Sequence, residues 1–350
     1  MGRHVLRRLA QAVLVLWAAY TLTFVLLTAL PGDAISNLVK NPQSQLTPED
    51  GAVIKAFYGV DRPVVEQYVH SLDALLHGNL GYSLSSGTTV SSLLGDALPS
   101  TLSLTGLGFV LGALIAAAVG LLGSYLPWAR SRRLLQSVPA LAASVPSFVI
   151  GILLLNVLSF QLHVIPAVDD GTFLALVAPA LTLGITVSAP LSQVFSASIA
   201  ATRKQPFVHV LHAKGAGERF VFGHGVLRNS SLPVLTLLGL AAGELIAGSV
   251  VTEAVFARGG IGQVTTNAVN TQDLPVIQGV VLVSTLGYVL VNLLVDVVHP
   301  LIDPRVRADV LARRATRPSV PGRSAEPAGS AEPGAAESPS ARAPIEVKVP

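Results

Sequence analysis

Six long apolar runs are spaced along the chain, at about 9–30, 99–126, 134–160, 172–200, 230–252 and 276–298. Each is long enough to cross about 30 Å of hydrocarbon as a helix, which takes about 20 residues. The runs are continuous and do not alternate apolar with polar positions, so they predict helices and not barrel strands. Residues 31–98 form the one large segment between two spans, and it carries helical signals of its own. Thr47-Pro48-Glu49-Asp50 has the hydroxyl and first-turn proline of a helix start. Asp61-Arg62-Pro63 resembles a second start, after which Val65, Tyr68, Val69, Leu72, Leu75 and Leu76 recur at helical spacing. A small helical cap over the outer mouth and a helix lying on the membrane surface both fit this pattern. Beyond Arg307, Pro, Ala, Ser, Glu and Arg dominate and aromatic residues vanish, so 308–350 are expected to be a disordered tail.

Composition agrees with the pattern. Apolar residues make up 51% of the 350 and charged residues only 12%, about half the charge of a soluble domain. The predicted fold is an all-α integral membrane protein: six transmembrane helices, a small external helical segment and a disordered cytoplasmic tail. The chain has no cysteine, which excludes disulfides, thiolate metal sites and cysteine nucleophiles. Arginines and lysines occur in short clusters, a pattern of cytoplasmic loops more than of nucleic-acid binding. They are Arg3, Arg7 and Arg8; Arg130, Arg132 and Arg133; Arg203, Lys204, Lys214, Arg219 and Arg228; and Arg305 and Arg307. With six spans these clusters share one side, and the other side holds Asp169, Asp170 and a lone Arg258. Positive-inside then puts both termini in the cytosol. Residues 1–8 become a cytoplasmic N-terminus, and the first run reads as a retained span, too long for a cleaved leader.

The polar stretch from Arg203 to Arg228 lies between two spans, and a stretch of this kind is often only a linker. Here Phe207, Val208, Val210 and Leu211 interleave with Lys204, His209, His212 and Lys214. That interleaving predicts a short helix parallel to the membrane at about 203–220, one face toward the spans and one toward a partner, with Gly215 and Gly217 available to end it. No Gly-x-x-x-x-Gly-Lys-Ser/Thr loop is present, so the chain lacks the usual cradle for ATP phosphates. Neither His-Glu-x-x-His nor Gly-x-Ser-x-Gly occurs, and an enzyme is disfavoured. No cofactor and no metal site are implied; the eight histidines show no ligand spacing.

Two carboxylates fall within predicted spans. Glu244 sits in the middle of the fifth. It reads either as a pathway residue for a cationic substrate group or as a protonated acid bonded to a neighbouring helix. Asp296, near the cytoplasmic end of the sixth, reads as a structural partner for a nearby arginine. Gly108, Gly112, Gly120, Gly123, Gly239, Gly243 and Gly248 permit close helix approach within the subunit, and some could serve a contact between subunits.

Short motifs recur in order over about 300 residues of the chain. They are Leu30-Pro31-Gly32-Asp33, Tyr58-Gly59-Val60-Asp61-Arg62-Pro63, Gly78-Asn79-Leu80-Gly81-Tyr82-Ser83, Ala213-Lys214-Gly215, Leu227-Arg228-Asn229, Leu232-Pro233-Val234, Val255-Phe256, Gly260-Ile261-Gly262, Asp273-Leu274-Pro275-Val276-Ile277-Gln278-Gly279, Asn292-Leu293-Leu294-Val295-Asp296 and Asp303-Pro304-Arg305-Val306-Arg307. Together they resemble the permease subunits of bacterial dipeptide/oligopeptide/nickel ABC importers. Two departures stand out. His209-Val210-Leu211 replaces the family's Glu-Ala-Ala, and Gly259-Gly260 replaces its Pro-Gly, which is expected to loosen the loop before the last span.

The resemblance implies a translocation pathway for peptides within a permease core at 99–307. It assigns ATPase coupling to Phe207, His212, Ala213, Lys214 and Gly215. It also implies a second homologous permease subunit, two ATP-binding cassette subunits that hydrolyse ATP, an extracytoplasmic solute-binding protein, and a plasma membrane setting in contact with lipid. A nickel or metal-chelate substrate is the alternative within the same class. An ion-coupled secondary transporter with Glu244 as its proton site, and a scaffold without transport, are the alternatives outside it.

Overall fold

The computed structural model describes the backbone of residues 2–29 and 62–302 and of 47, 49, 51, 53 and 55, with side chains over 6–29 and 62–294 apart from residue 129. In chain order the helices are α1 (Gly2–Ala29), α2 (Val64–Leu76), α3 (Val90–Tyr125), α4 (Ala129–Ser144) and α5 (Ser147–Leu155), the last continued by π-helical turns over Asn156–Gln161. Then follow α6 (Phe173–Arg203), α7 (Pro206–Ala213), α8 (Glu218–Val255), α9 (Ile261–Asn270) and α10 (Leu274–Ile302). Among the described residues the only strand-like pairing is an isolated bridge between Tyr82 and Thr89.

Five of these helices are long and apolar enough to cross a membrane, and α4 with α5 makes a sixth crossing if the bent pair is one span. The expected all-α multi-pass membrane fold is therefore the observed one. Its elements differ from the expected runs in three places. The third run, expected as one helix over 134–160, is bent by 106° between α4 and α5. The cause is local: Val145 precedes Pro146 and takes extended angles, φ −100° and ψ 127°, because proline's ring disfavours helix in the residue before it. The second run begins at Val90 and not at 99, started by Thr89, whose hydroxyl accepts from the Ser92 N–H at 3.4 Å. The fifth is longest. α8 has 38 residues, or about 57 Å of helix, so residues 218–228 are its first turns and not a surface loop. Seven of them, Val221–Leu227, are π-helical.

The bundle is closed by glycines on facing helices. A side chain at Gly108 would run into Leu183, one at Gly112 would stand 3.2 Å from the Gly184 carbonyl, and Gly120 lies flat under the Phe195 ring. These contacts bring α3 and α6 together along much of their length, the close approach that small residues allow in membranes. Gly243 of α8 receives the Tyr288 ring of α10 in the same way.

Outside the spans, α2 starts at the expected Pro63. Its Tyr68 hydroxyl hydrogen-bonds Thr21 at 2.7 Å and its ring meets Phe24 edge-on at 5.3 Å, which fastens α2 to α1. Val65, Val69 and Leu76 remain exposed. Residues 31–46, most of the first expected external helix at Thr47 to Asp50, and the tail from residue 303 lie outside the described residues.

Candidate functional site

The polar stretch between α6 and α8 resolves into a short helix and a turn. Pro206 opens α7 at its first helical position, where a missing N–H costs nothing and a fixed φ helps. Val208 is buried and Phe207 and Leu211 are half-buried. They join a cluster with Phe195 and Ile199 of α6 and Val221 and Val226 of α8. Phe207 and Leu211 lie directly over Gly225 in the π-helical segment, where an added methyl would sit 3.2 Å from the Phe207 ring. His209, Val210, His212, Ala213 and Lys214 are exposed. The helix is thus amphipathic as its sequence predicts, and its polar face is open. Of the residues grouped for ATPase coupling, His212, Ala213 and Lys214 share that face, whereas Phe207 is turned inward.

Gly215 ends α7 with φ +82°. Its N–H bonds the His212 carbonyl at 2.9 Å and the next N–H, of Ala216, bonds Leu211 at 3.1 Å. This reciprocal pair is the Schellman arrangement, which needs a left-handed residue at the turn and so favours glycine. An added methyl at Gly215 would meet nothing within 4 Å. Within this chain the demand on Gly215 is therefore backbone conformation and not space. His212 reaches across the turn to Glu218 at 3.2 Å. Beneath, Arg203 stacks on Tyr125 at 4.0 Å, and Tyr125 meets Phe222 at 4.3 Å, which fixes the end of α6 against the start of α8.

Glu244 is exposed on α8. A carboxylate at that depth is expensive against lipid, so its surface calls for a wet or protein-covered neighbour. Asp296 lies in α10, but its side chain is outside the described residues.

A second constellation occupies the far end of α8, and sequence reasoning passed over most of it. Glu253 is fully buried. Its Oε2 accepts from the Gly262 N–H at 2.6 Å, and the adjacent Ile261 N–H donates to the Thr101 hydroxyl oxygen at 2.9 Å. Arg258 pairs with Asp169 at 3.1 Å. Asp273, also buried, accepts from the Ser83 hydroxyl at 2.6 Å and from the Ser85 N–H and hydroxyl, both at 3.0 Å. Two motifs 190 positions apart, ending in Ser83 and starting with Asp273, thus meet. Gly259, the position expected to loosen this loop, has open space around it, but Gly260 and Gly262 beside it are tightly enclosed. A methyl at Gly260 would overlap the Glu253 carboxylate, and one at Gly262 would lie 2.6 Å from the Val250 backbone. The glycines let the chain approach more closely than any other residue would. A usable signal was the spacing of Glu244 and Glu253: nine positions are about two and a half turns, which puts the two carboxylates on opposite faces of α8.

A bundle of long apolar helices with an amphipathic helix docked beside the base of one of them defines the class by fold: a multi-pass helical membrane protein. The comparisons make this specific. Residues 108–308 match the family described as binding-protein-dependent transport system inner membrane component, and residues 1–105 match that family's N-terminal region. The chain belongs to this family.

Among its relatives, the probable peptide ABC transporter permease protein y4tP of Sinorhizobium fredii is 32% identical over 315 residues, covering 88% of this chain and all of that protein. The dipeptide transport system permease protein DppB of Lactococcus lactis is 31% identical over 88% of this chain and all of its own length. The glutathione transport system permease protein GsiC of Escherichia coli K12 is 31% identical over 88% of this chain and 99% of its own. The fold is also similar to that of a solved MetNI methionine ABC transporter chain in an inward-facing conformation, with TM-score 0.51, 17% identity, and coverage of 60% of this chain and 96% of that one.

Proposed function

We propose that this chain is a permease subunit of an ABC importer that forms the translocation pathway for di- and oligopeptides. Family membership and relatives named for peptide and dipeptide transport support this reading. The observation that carries the mechanism is α7: it is seated by its apolar face on α6 and α8 and leaves His209, His212, Ala213 and Lys214 free to meet another protein.

In this reading α7 faces the cytosol, both termini are cytoplasmic, and the α9 end is external. Two ATPase subunits grip α7 of this chain and of a second, homologous permease. Closure of the ATPases on ATP pushes α7. Because Phe207 and Leu211 rest on Gly225, the push enters α8 at its π-helical turns, a feature frequent at functional sites. The bundle then alternates between outward and inward openings, and an external solute-binding protein delivers the peptide. Glu244, exposed on this chain yet unfit for lipid, lines the pathway beside the second permease.

The test is reconstitution of the full complex in vesicles with a labelled dipeptide. Uptake should require ATP and the binding protein, and Glu244→Gln should lower uptake of cationic peptides while assembly is retained. Uptake that follows an ion gradient without ATP would replace this reading with a secondary transporter.

A further inference from the structure

We propose that α9 is an outer lid fixed in place by two buried carboxylates, Glu253 at its start and Asp273 beyond its end, and that Glu253 is a positioning residue on which uptake depends. The first N–H groups of a helix have no partner within it. In α9 two of them are taken by side chains from other spans: Glu253 of α8 accepts from Gly262 and Thr101 of α3 accepts from Ile261. At the other end Asp273 holds Ser83 and Ser85, which belong to the segment leading into α3. Between α8 and α9, Arg258 is tied to Asp169 in the loop before α6. The end of α8, α3 with the segment before it, and the loop before α6 are therefore all tied to α9 or to the residues that flank it.

An apolar contact already exists there. Ile261 and Ala268 pack with Val90, Leu94, Val276 and Val280. Stability alone would be served by more of the same, because buried polar groups repay their desolvation poorly. What the carboxyls add is a defined position. Hydrophobic faces slide, whereas a carboxylate fully enclosed and bonded to one N–H has a single seat. The absence of side chains at Gly260 and Gly262 is part of that seat, since either methyl would drive Glu253 or Val250 out of place. Glu253 thus sets where the lid lies relative to α8, the helix that α7 bears on at its other end.

This inference rests on the importer reading for its uptake arm and on that reading's external placement of α9 for its labelling arm. The test exploits the absence of cysteine. Ala268, buried on the inner face of α9, is replaced by cysteine in the full complex, and reaction with a membrane-impermeant maleimide is timed in intact cells. Ala268→Cys alone should label slowly. Glu253→Ala added to it should raise the labelling rate by roughly tenfold, the scale of a buried N–H losing its acceptor, and should lower uptake by a similar factor while the subunits still co-purify.

Glu253→Gln keeps an oxygen for the Gly262 N–H and should restore slow labelling and most of the uptake. If Glu253→Ala prevents assembly, Thr101→Val carries the test by freeing the Ile261 N–H, with the same expected direction. Unchanged labelling in the assembled variant would overturn the lid. Faster labelling with full uptake would overturn the dependence of transport on it. Failure of the importer reading would instead show as normal labelling behaviour with no ATP-driven uptake by the parent protein.

Discussion

Two short helices, α7 and α9, flank the two ends of α8, and both have an apolar seat, but only α9 is also fixed by buried polar groups. Among the described residues α7 is seated through Phe207, Val208 and Leu211, with its polar groups facing out and an exposed His212–Glu218 pair at its exit. α9 is held by buried polar groups, by Glu253, Thr101 and Asp273, in a space too tight for a methyl at Gly260 or Gly262. A greasy seat permits small shifts at little cost, because dispersion and burial change gradually as surfaces slide. A buried carboxylate does not, because one lost hydrogen bond exposes the whole desolvation cost of its partner. The α7 end is built to take up a displacement and the α9 end to keep a position.

The largest effect expected from this contrast is at Gly262. Gly262→Ala forces a methyl into the Val250 backbone, where nothing can rotate away, and should cost about 3 kcal/mol, the upper part of the range for overpacking. A fall in the thermal midpoint of the purified complex is the readout, and an unchanged midpoint would mean that α9 is as loosely seated as α7.

Next comes Gly215→Val. The residue has φ +82° and open space around it, so the cost is left-handed strain of about 1–2 kcal/mol. We expect poorer co-purification of the ATPase subunits with membrane insertion intact. Gly217→Ala, two positions on at φ −70° with equally open space, should leave co-purification as it was, and a matching loss there would show that crowding and not conformation is at stake.

Asp273→Asn keeps the shape and removes the charge that Ser83 and Ser85 address. The difference between charged and neutral hydrogen bonds is about 1 kcal/mol, so a modest drop in thermal midpoint should appear, and none would assign the clip to packing alone. The smallest effect belongs to Glu218→Gln. Its pair with His212 is exposed, and such pairs contribute about 0.5 kcal/mol or less. ATPase co-purification should stay unchanged, and a large loss would mean that α7 depends on polar fastening after all.

The span-forming residues were legible because an apolar run reports burial in lipid directly. α7 was legible for the same reason, since Phe207 and Leu211 against His209 and Lys214 form a two-sided pattern on one short segment. The α9 clamp was not, because its parts come from positions 83, 101, 169, 253 and 273, and no local pattern links them. Glu253 falls one residue past the expected end of the fifth run and so escaped notice beside the more central Glu244. The glycines at 260 and 262 were read only as part of a motif, whereas their role comes from neighbours that only the fold supplies. The bend at Val145-Pro146 was visible as a proline, but continuous hydrophobicity hid it, since membrane helices tolerate proline in many places.

α8 joins everything described here without a break in the backbone. A rod of about 57 Å tilted by about 5° carries its far end through about 5 Å, roughly one helical turn. With the Glu253 end clamped to α9, that arc falls at the other end, beneath Gly225, where the π-helical turns lie, and Pro233 a little further along is a second place where the rod can bend. Under the importer reading the two sides of the bundle are then joined by one helix, with no relay of loops between them.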